Sequence, residues 1–425
     1  MRRSSEALYR YEMHAGMVNG SSLRRIWAGV NISVPQEERT TEAFEGERDP
    51  ESWVGGSPVK LHLDMIQGVV PIDEHDKNLV KISKGQEWSV TATIVFCHSI
   101  SKVLRAEMIA AGWFQLPVEK WIKVLKGGWD WVLRSNLFGF VTGPVVQQLR
   151  VIFSVTSRSE TEADWYEEVR NRRSWGVPKF LPLHRNPRAD WADLLYDSCS
   201  RTAKTHISAI QAGGRNVEGI DEWWQARHHH MPSGSSSIRP IAREVLVADE
   251  RLRAQDRPNK KAVVECLDEA YPWQVLLSPP TADARTSTKH EPGEKNRAIH
   301  AANDGYYTIE AYTSVHLEKM MSFDGMYGKQ MPVDVVEWVM EHDETRKQGG
   351  YWTSSDYSDF NTEHSKHELS IADIARGRAW LNAKVGRVGV EKWMAQSWVA
   401  LAQHRSWLVI GDDTPRVFSG LYSGS

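Results

Sequence analysis

The chain has 425 residues, 41% of them hydrophobic and 25% charged, a globular composition that excludes wholesale disorder and leaves room for two or three domains. Its 52 Lys and Arg against 55 Asp and Glu give a net charge of −3, which excludes a uniformly basic coat for nucleic acid but not a basic channel inside a neutral shell. No apolar run approaches the ~18 residues of a membrane span, and the basic N-terminus lacks the apolar stretch of a secretory signal. Three widely spaced cysteines, Cys97, Cys199 and Cys266, argue against a disulfide framework and for a reducing compartment.

In chain order, the first 60 residues read as loop, with an acidic, solvated stretch from Glu37 to Glu51. SVTATIVFC (89–97) is rich in β-branched residues and predicts a strand, while RAEMIAAGWF (105–114) and PVEKWIKVLKG (117–127) predict helices, with Trp121, Ile122 and Leu125 at helical spacing. Between Val169 and Ala189 there is no acid, and Arg170, Arg172, Arg173, Lys179, Arg185 and Arg188 surround Trp175 and Phe180. Cations for phosphates beside rings for bases suit a nucleic-acid strand, and a solvated basic loop accounts for the same pattern. His228, His229 and His230 are consecutive and so point in different directions, which favours a local surface role over chelation. The following Pro232-Ser233-Gly234-Ser235-Ser236-Ser237 is a turn whose small donors suit a phosphate backbone.

Two later segments carry chemistry. In KHEPGEKNRAIH (289–300), Lys289, Lys295 and Arg297 flank a Pro292-Gly293 turn. Cations on converging strands can clamp a triphosphate, Arg by its fork and Lys as a point charge. In YWTSSDYSDFNTEHSKHELS (351–370), a short strand from Tyr351 should end on Asp356, with helical signals from Thr362 and capping chemistry at Thr362, Ser365 and Glu368. An acid at a strand end beside a helix start suits Mg²⁺, and Asp359, Asn361 and Thr362 serve equally as turn and cap residues.

Taken together, the segments resemble a known family. Asp356-Tyr-Ser-Asp-Phe-Asn-Thr-Glu-His364-Ser is similar to the first palm motif of viral RNA-dependent RNA polymerases, most like those of totiviruses and related double-stranded RNA viruses of fungi. Lys289-His-Glu-Pro-Gly-Glu-Lys295-Asn-Arg297-Ala-Ile resembles the NTP-clamping fingers motif and lies upstream, as that family requires. Gly420-Leu-Tyr-Ser423-Gly424-Ser425 resembles the opening of the Ser-Gly loop, and Trp223-Trp224 with Arg227 and Gly234-Ser235-Ser236 resembles a fingers segment near the template.

The resemblance implies an α+β right-hand polymerase fragment: an N-terminal region with part of the fingers over 1–200, fingers over 201–330, and the start of the palm over 331–425, with thumb and remaining palm motifs missing and the fragment alone inactive. It implies Asp356 as catalytic metal ligand with the Tyr357 carbonyl nearby, Mg²⁺ or Mn²⁺ as cofactor, and Asn361 sensing the ribose 2′-OH. Lys289, Lys295 and Arg297 would neutralise the triphosphate, with Asp359, Ser423 and Gly424 at the nucleotide. RNA contacts would come from Arg170, Arg172, Arg173, Lys179, Arg185 and Ser235. The implied partners are RNA template and product, NTPs and a viral capsid protein, with no membrane, in a particle within the host cytoplasm.

Gly411-Asp412-Asp413 has the composition of the family's second metal motif and predicts a hairpin between SWLVI and RVF. Its order is wrong, because the Ser-Gly loop should precede it, and Asp412 follows Asp356 by only 56 residues. Residues 362–405 instead predict helices, with Val390, Trp393, Met394, Trp398 and Leu401 as an apolar stripe. Two rivals remain open: a metallohydrolase using Asp356, Asp359, His364, His367 and Glu368, and a viral structural or RNA-binding protein using the basic stretch.

Overall fold

The computed structural model describes residues 61–83, 87–121, 123–125, 152, 162–173, 187–212, 217–232, 234–250, 252, 254, 256–291, 295–315, 332–350, 362 and 364–422. They show a helix-rich α+β chain with a small three-stranded sheet. The chain divides into two compact units, one of residues Gly56–Trp165 with Ser287–Ile299, the other containing Tyr166–Thr286 and His300–Ser425.

In the first unit, α1 (Leu63–Ile66), α2 (Glu74–Ile82), α3 (Glu87–Ser99) and α4 (Lys102–Ala110) precede a short 3₁₀ turn at Trp113–Gln115. Asp73 caps α2 in a reciprocal box with Asp76. The buried Asp76 then holds neighbouring helices: its Oδ2 lies 2.7 Å from His98 Nε2 on α3, and its Oδ1 accepts from Arg105 Nη2 on α4 at 3.1 Å. Leu79, Ile94, Phe114 and Trp121 fill the core between them.

The expected strand at 89–97 is instead the body of α3. Ser89, Val90, Thr91, Thr93, Ile94, Phe96 and Cys97 are all buried, so the apolar run reflects a helix enclosed on most sides, a case periodicity alone cannot separate from a strand. Thr91 and Thr93 satisfy their hydroxyls by donating to the carbonyls of Glu87 and Ser89 one turn back, at 2.8 and 2.7 Å. The expected helix at 105–114 is α4, cut short where Gly112 turns left-handed at φ +80. Residues 118–121 and 123–125 are helical as expected, with Trp121 buried, whereas Ile122 lies outside the described residues.

The second unit runs through α5 (Trp165–Arg173), α6 (Pro187–Ala212), α7 (Ile220–Gln225), α8 (Arg227–His230), α9 (Arg239–Ala248), α10 (Lys260–Glu265) and α11 (Tyr271–Leu277). Strands β1 (Ala282–Glu291) and β2 (Lys295–Ala302) follow, their ends from Ser287 to Ile299 belonging to the first unit, then α12 (Asp304–Ser314), α13 (Pro332–Lys347), α14 (Lys366–Asn382), α15 (Arg387–His404) and β3 (Ser406–Val409). The sheet order is β2-β1-β3, with β1 and β3 parallel from Ala282 opposite Ser406 to Arg285 opposite Val409. A parallel pair needs a long crossover, which the chain from α12 to α15 supplies.

Helices α14 and α15 pack closely because glycine lines their contact. A Cβ on Gly389 would lie 2.9 Å from the Trp380 carbonyl oxygen. The cap expected near 362–368 is present: Ser365 and Glu368 form a reciprocal box at the start of α14. The apolar stripe expected on α15 is met at Trp398, which is buried, and displaced at its edges. Val390 and Leu401 are exposed, while Glu391, Lys392, Ala395, Trp398, Val399 and Ala402 are buried. Lys392 buries its stem and donates from Nζ to the Tyr312 carbonyl in the last turn of α12, so a cation on α15 caps another helix. The core around it gathers Trp223, Trp224, Tyr271, Tyr306, Tyr312 and Trp398.

Candidate functional site

The two strands expected to carry the triphosphate clamp are neighbours in the sheet. Lys289 on β1 and Arg297 on β2 are both exposed, and Lys295 opens β2. Residues 292–294 of the turn lie outside the described residues, as do Tyr351–Asp356, Tyr357, Asp359, Asn361, Ser423 and Gly424.

What the structure does describe is the frame that follows the Asp356–Asn361 segment. The Ser365 box starts α14 nine residues after Asp356. The chain then returns to this point: Gly420 N donates to the His364 carbonyl at 2.7 Å, and Lys366 N donates to the Phe418 carbonyl at 2.8 Å. Ser365 and Ser419 form an antiparallel bridge. Tyr422 Oη donates to the Ala282 and Trp407 carbonyls at 2.9 and 3.2 Å, fixing the same segment onto the sheet. The residues just after the Asp-Phe-Asn string and those just before the Ser-Gly pair are thus brought side by side, although 56 residues separate His364 from Gly420.

Beneath this junction lies a cluster of charge that sequence reasoning missed, with Lys366 and Asp373 buried and Glu310 half-buried. Lys366 Nζ donates to Gln403 Oε1 at 3.1 Å and sits 4.0 Å from the centre of the Tyr422 ring. Burial drives its ammonium down to about 7. Burial, then the neighbouring Asp373, pushes the Glu310 carboxyl up to about 7. Burial also raises Asp373 to about 6, despite its bond from Arg376. These are groups able to hold or release a proton near neutrality. The sequence signal was weak, because charged residues on a helix ordinarily face solvent.

The expected RNA contacts separate. Arg170 is exposed and paired with Glu167, and Arg173 is exposed. Arg172 is only 3% exposed and pairs with Glu168, while its carbonyl accepts from Phe418 N at 2.8 Å. Its guanidinium therefore stabilises the fold and is withheld from any ligand, as helical periodicity would place it between two solvent-facing arginines. Lys179 and Arg185 lie outside the described residues.

Trp223, Trp224 and Arg227 do not present to a template strand either: all three are fully buried. Arg227 donates to the Trp224 and Val264 carbonyls at 2.8 and 3.2 Å, riveting α8 to α10. In the serine turn, Ser235 is exposed and its Oγ accepts from Arg239 Nη2 at 2.8 Å. The other donors are committed internally, because Ser236 Oγ, Ser237 N, Ser237 Oγ and Ile238 N all bond Asp304 Oδ2 at 2.6–3.0 Å. The turn grips a carboxylate of its own chain where a phosphate was expected.

His229 is exposed, whereas His230 stacks on the buried Trp223 at 6.0 Å between ring centres. Burial lowers His228 to about 4. Among the described residues no three His, Cys, Asp or Glu side chains converge as a metal site, and none of the helices is long and apolar enough to cross a membrane. Glu368, a ligand in the hydrolase alternative, has both oxygens engaged, Oε1 by Trp191 Nε1 at 3.1 Å and Oε2 by Ser365.

The Gly411-Asp412-Asp413 segment is a hairpin turn, as expected. Ile410 and Asp413 exchange backbone bonds of 2.9 Å, Trp407 pairs with Arg416, and Gly411 takes φ +57. Asp412 and Asp413 are both exposed, so neither needs a ligand to compensate burial. Compared with known proteins, the chain matches no protein family, no curated protein and no solved structure at a significant level.

Proposed function

We propose that this chain is part of a viral RNA-dependent RNA polymerase, carrying fingers and the start of a palm, in which a 3′-hydroxyl attacks the α-phosphate of an NTP and expels pyrophosphate. The observation that carries the reading is the pairing of His364 with Gly420. It juxtaposes two segments that the resemblance independently assigns to one nucleotide site. The exposed Lys289 and Arg297 on adjacent strands support a triphosphate clamp, their charge offsetting that of the phosphates and leaving group. Asn361 would read the ribose 2′-hydroxyl. Asp356 and the Tyr357 carbonyl would hold Mg²⁺ or Mn²⁺, which supplies charge neutralisation at the transferred phosphoryl group. RNA would follow Arg170, Arg173 and Ser235 among the described residues, in a particle with capsid protein in the host cytoplasm.

Incorporation of labelled NTP on an RNA template tests this, with Mg²⁺ or Mn²⁺ and with the chain extended by downstream sequence from the same RNA. Activity that disappears in Asp356→Ala and survives in Asp412→Ala is the expected result. A folded, extended protein that incorporates nothing, or an Asp356→Ala variant as active as its parent, overturns the reading. RNA binding without any NTP effect would then favour a structural RNA-binding protein.

A further inference from the structure

The first unit holds one face of the β1–β2 hairpin, and this gives the N-terminal helices a role. Along a strand, side chains alternate between faces, so Thr288 and His290 share the face opposite to Lys289. Both are occupied. The His290 ring meets the edge of Trp88 on α3, with centres 5.9 Å apart and planes at 81°. Thr288 Oγ1 accepts from Ala163 N at 2.9 Å and donates to Glu162 Oε2. Trp88 is itself braced, since it also meets the ring of His62 at 6.4 Å. His62 Nδ1 lies 3.2 Å from Glu87 Oε1, and the same carboxylate oxygen accepts from Leu63 N at 3.3 Å. The chain of contacts therefore runs from the start of α1 through Glu87 and Trp88 of α3 to the end of β1.

We infer that Trp88, with His290 and Thr288, is a positioning element that sets the register and aim of the cationic hairpin, so that residues 61–99 serve the triphosphate clamp without touching its ligand. A hairpin of two strands is marginal by itself, and neighbouring like charges work against its closure. Edge-to-face aromatic contact and a doubly bonded threonine hold one face fixed, and Lys289 is thereby directed from the other. The inference rests on the nucleotide-clamp reading for its ligand, but the brace can be measured without it.

The experiment uses the 425-residue chain and three variants, Trp88→Ala, Trp88→Phe and Thr288→Val. Mg²⁺·GTP and inorganic tripolyphosphate are the probes, titrated by calorimetry, and amide exchange is followed at 287–299 with α15 as internal reference. The expected result is ~10-fold weaker binding in Trp88→Ala and Thr288→Val, the scale on which small misplacement of a binding group acts. Trp88→Phe should stay within about twofold of the parent because it keeps an aromatic edge. Hairpin exchange should accelerate in the two weakened variants while α15 is unchanged, which separates positioning from general unfolding. Equal hairpin exchange in parent and Trp88→Ala overturns the brace whatever is bound. Faster exchange with undiminished affinity overturns its role in positioning. A parent that binds neither probe overturns the clamp reading, and the assigned role with it, even where exchange shows the brace to exist.

Discussion

Asp304 follows the N-cap Asn303 at the start of α12, where a carboxylate also benefits from the helix dipole. It is 2% exposed, and its Oδ2 accepts four hydrogen bonds from residues 236–238. In Asp304→Ala the hydroxyls can turn elsewhere, and Ser236 Oγ already receives a bond from Ile238 N at 3.1 Å. The Ser237 amide has no such substitute. Orphaning it and weakening the charged bonds costs about 1–3 kcal/mol per group, and loss of the dipole interaction adds ~0.3–1 kcal/mol. Lys260, whose ammonium lies 3.7 Å above the centre of the Tyr307 ring, also loses the anion that favours its charge. The expected total is ~3–5 kcal/mol, the range for breaking a buried charged network.

Asp304→Asn keeps an acceptor oxygen and should cost about half as much. At ~2–4 °C per kcal/mol for a unit of this size, Asp304→Ala should lower the melting temperature by ~6–20 °C. Differential scanning fluorimetry reads the shift, and amide exchange at Ser237 and Ile238 locates it. A shift below 2 °C for Asp304→Ala, with both amides still protected, would refute the claim that this carboxylate organises the turn.

The remaining predictions concern charge. Glu310 has its carboxyl raised to about 7 by burial, with Asp373, Lys366 and Arg376 in electrostatic range and Tyr306 bonded to it. A carboxyl raised above its unfolded value of 4.5 stabilises the fold at low pH, and that contribution is lost as pH rises towards 7. Glu310→Gln should therefore gain on its parent by ~1–2 kcal/mol between pH 4.5 and 7.5, allowing for the solvent contact of a half-buried side chain. Melting curves across that range check it, and a constant offset between the two proteins contradicts it. Arg172→Leu should cost ~2–3 kcal/mol by removing the ion pair of Glu168, which keeps His300 Nε2 at 3.5 Å, measured by thermal unfolding. Arg173→Ala should stay within ~0.5 kcal/mol but reduce the salt slope of RNA binding by about one; a slope equal to that of the parent removes Arg173 from the RNA surface.

The fold was legible where local chemistry decides it. Ser365 and Glu368 announced a cap, and the Pro-Gly turn between two cation-bearing runs announced neighbouring strands, because both signals act within a few residues. It was illegible where tertiary enclosure decides. Val90, Thr93, Ile94 and Phe96 favour a strand by intrinsic preference, yet burial on most sides of α3 selects a helix. On α15 the stripe was displaced at its edges for the same reason. Lys392 and Glu391 are buried because the end of α12 and the amide of Ile220 supply partners, and neither partner is visible from the sequence of α15 itself.

The candidate site divides along the same line. Residue type and spacing can say that Lys289 and Arg297 are suited to phosphate, and their exposure agrees with that. Spacing cannot say which cation of a basic run is spent on the fold, so Arg172 entered the expected RNA surface alongside Arg170. Nor can it say whether a serine-rich turn keeps its donors for a ligand, and here Asp304 takes them. In both cases the deciding partner is a carboxylate: Glu168 lies one helical turn from Arg172, whereas Asp304 lies 67 residues from Ser237. The first could have been anticipated from i, i+4 spacing, and the second could not. A basic or donor-rich segment is informative about binding only after the acids that could neutralise it at close range have been counted.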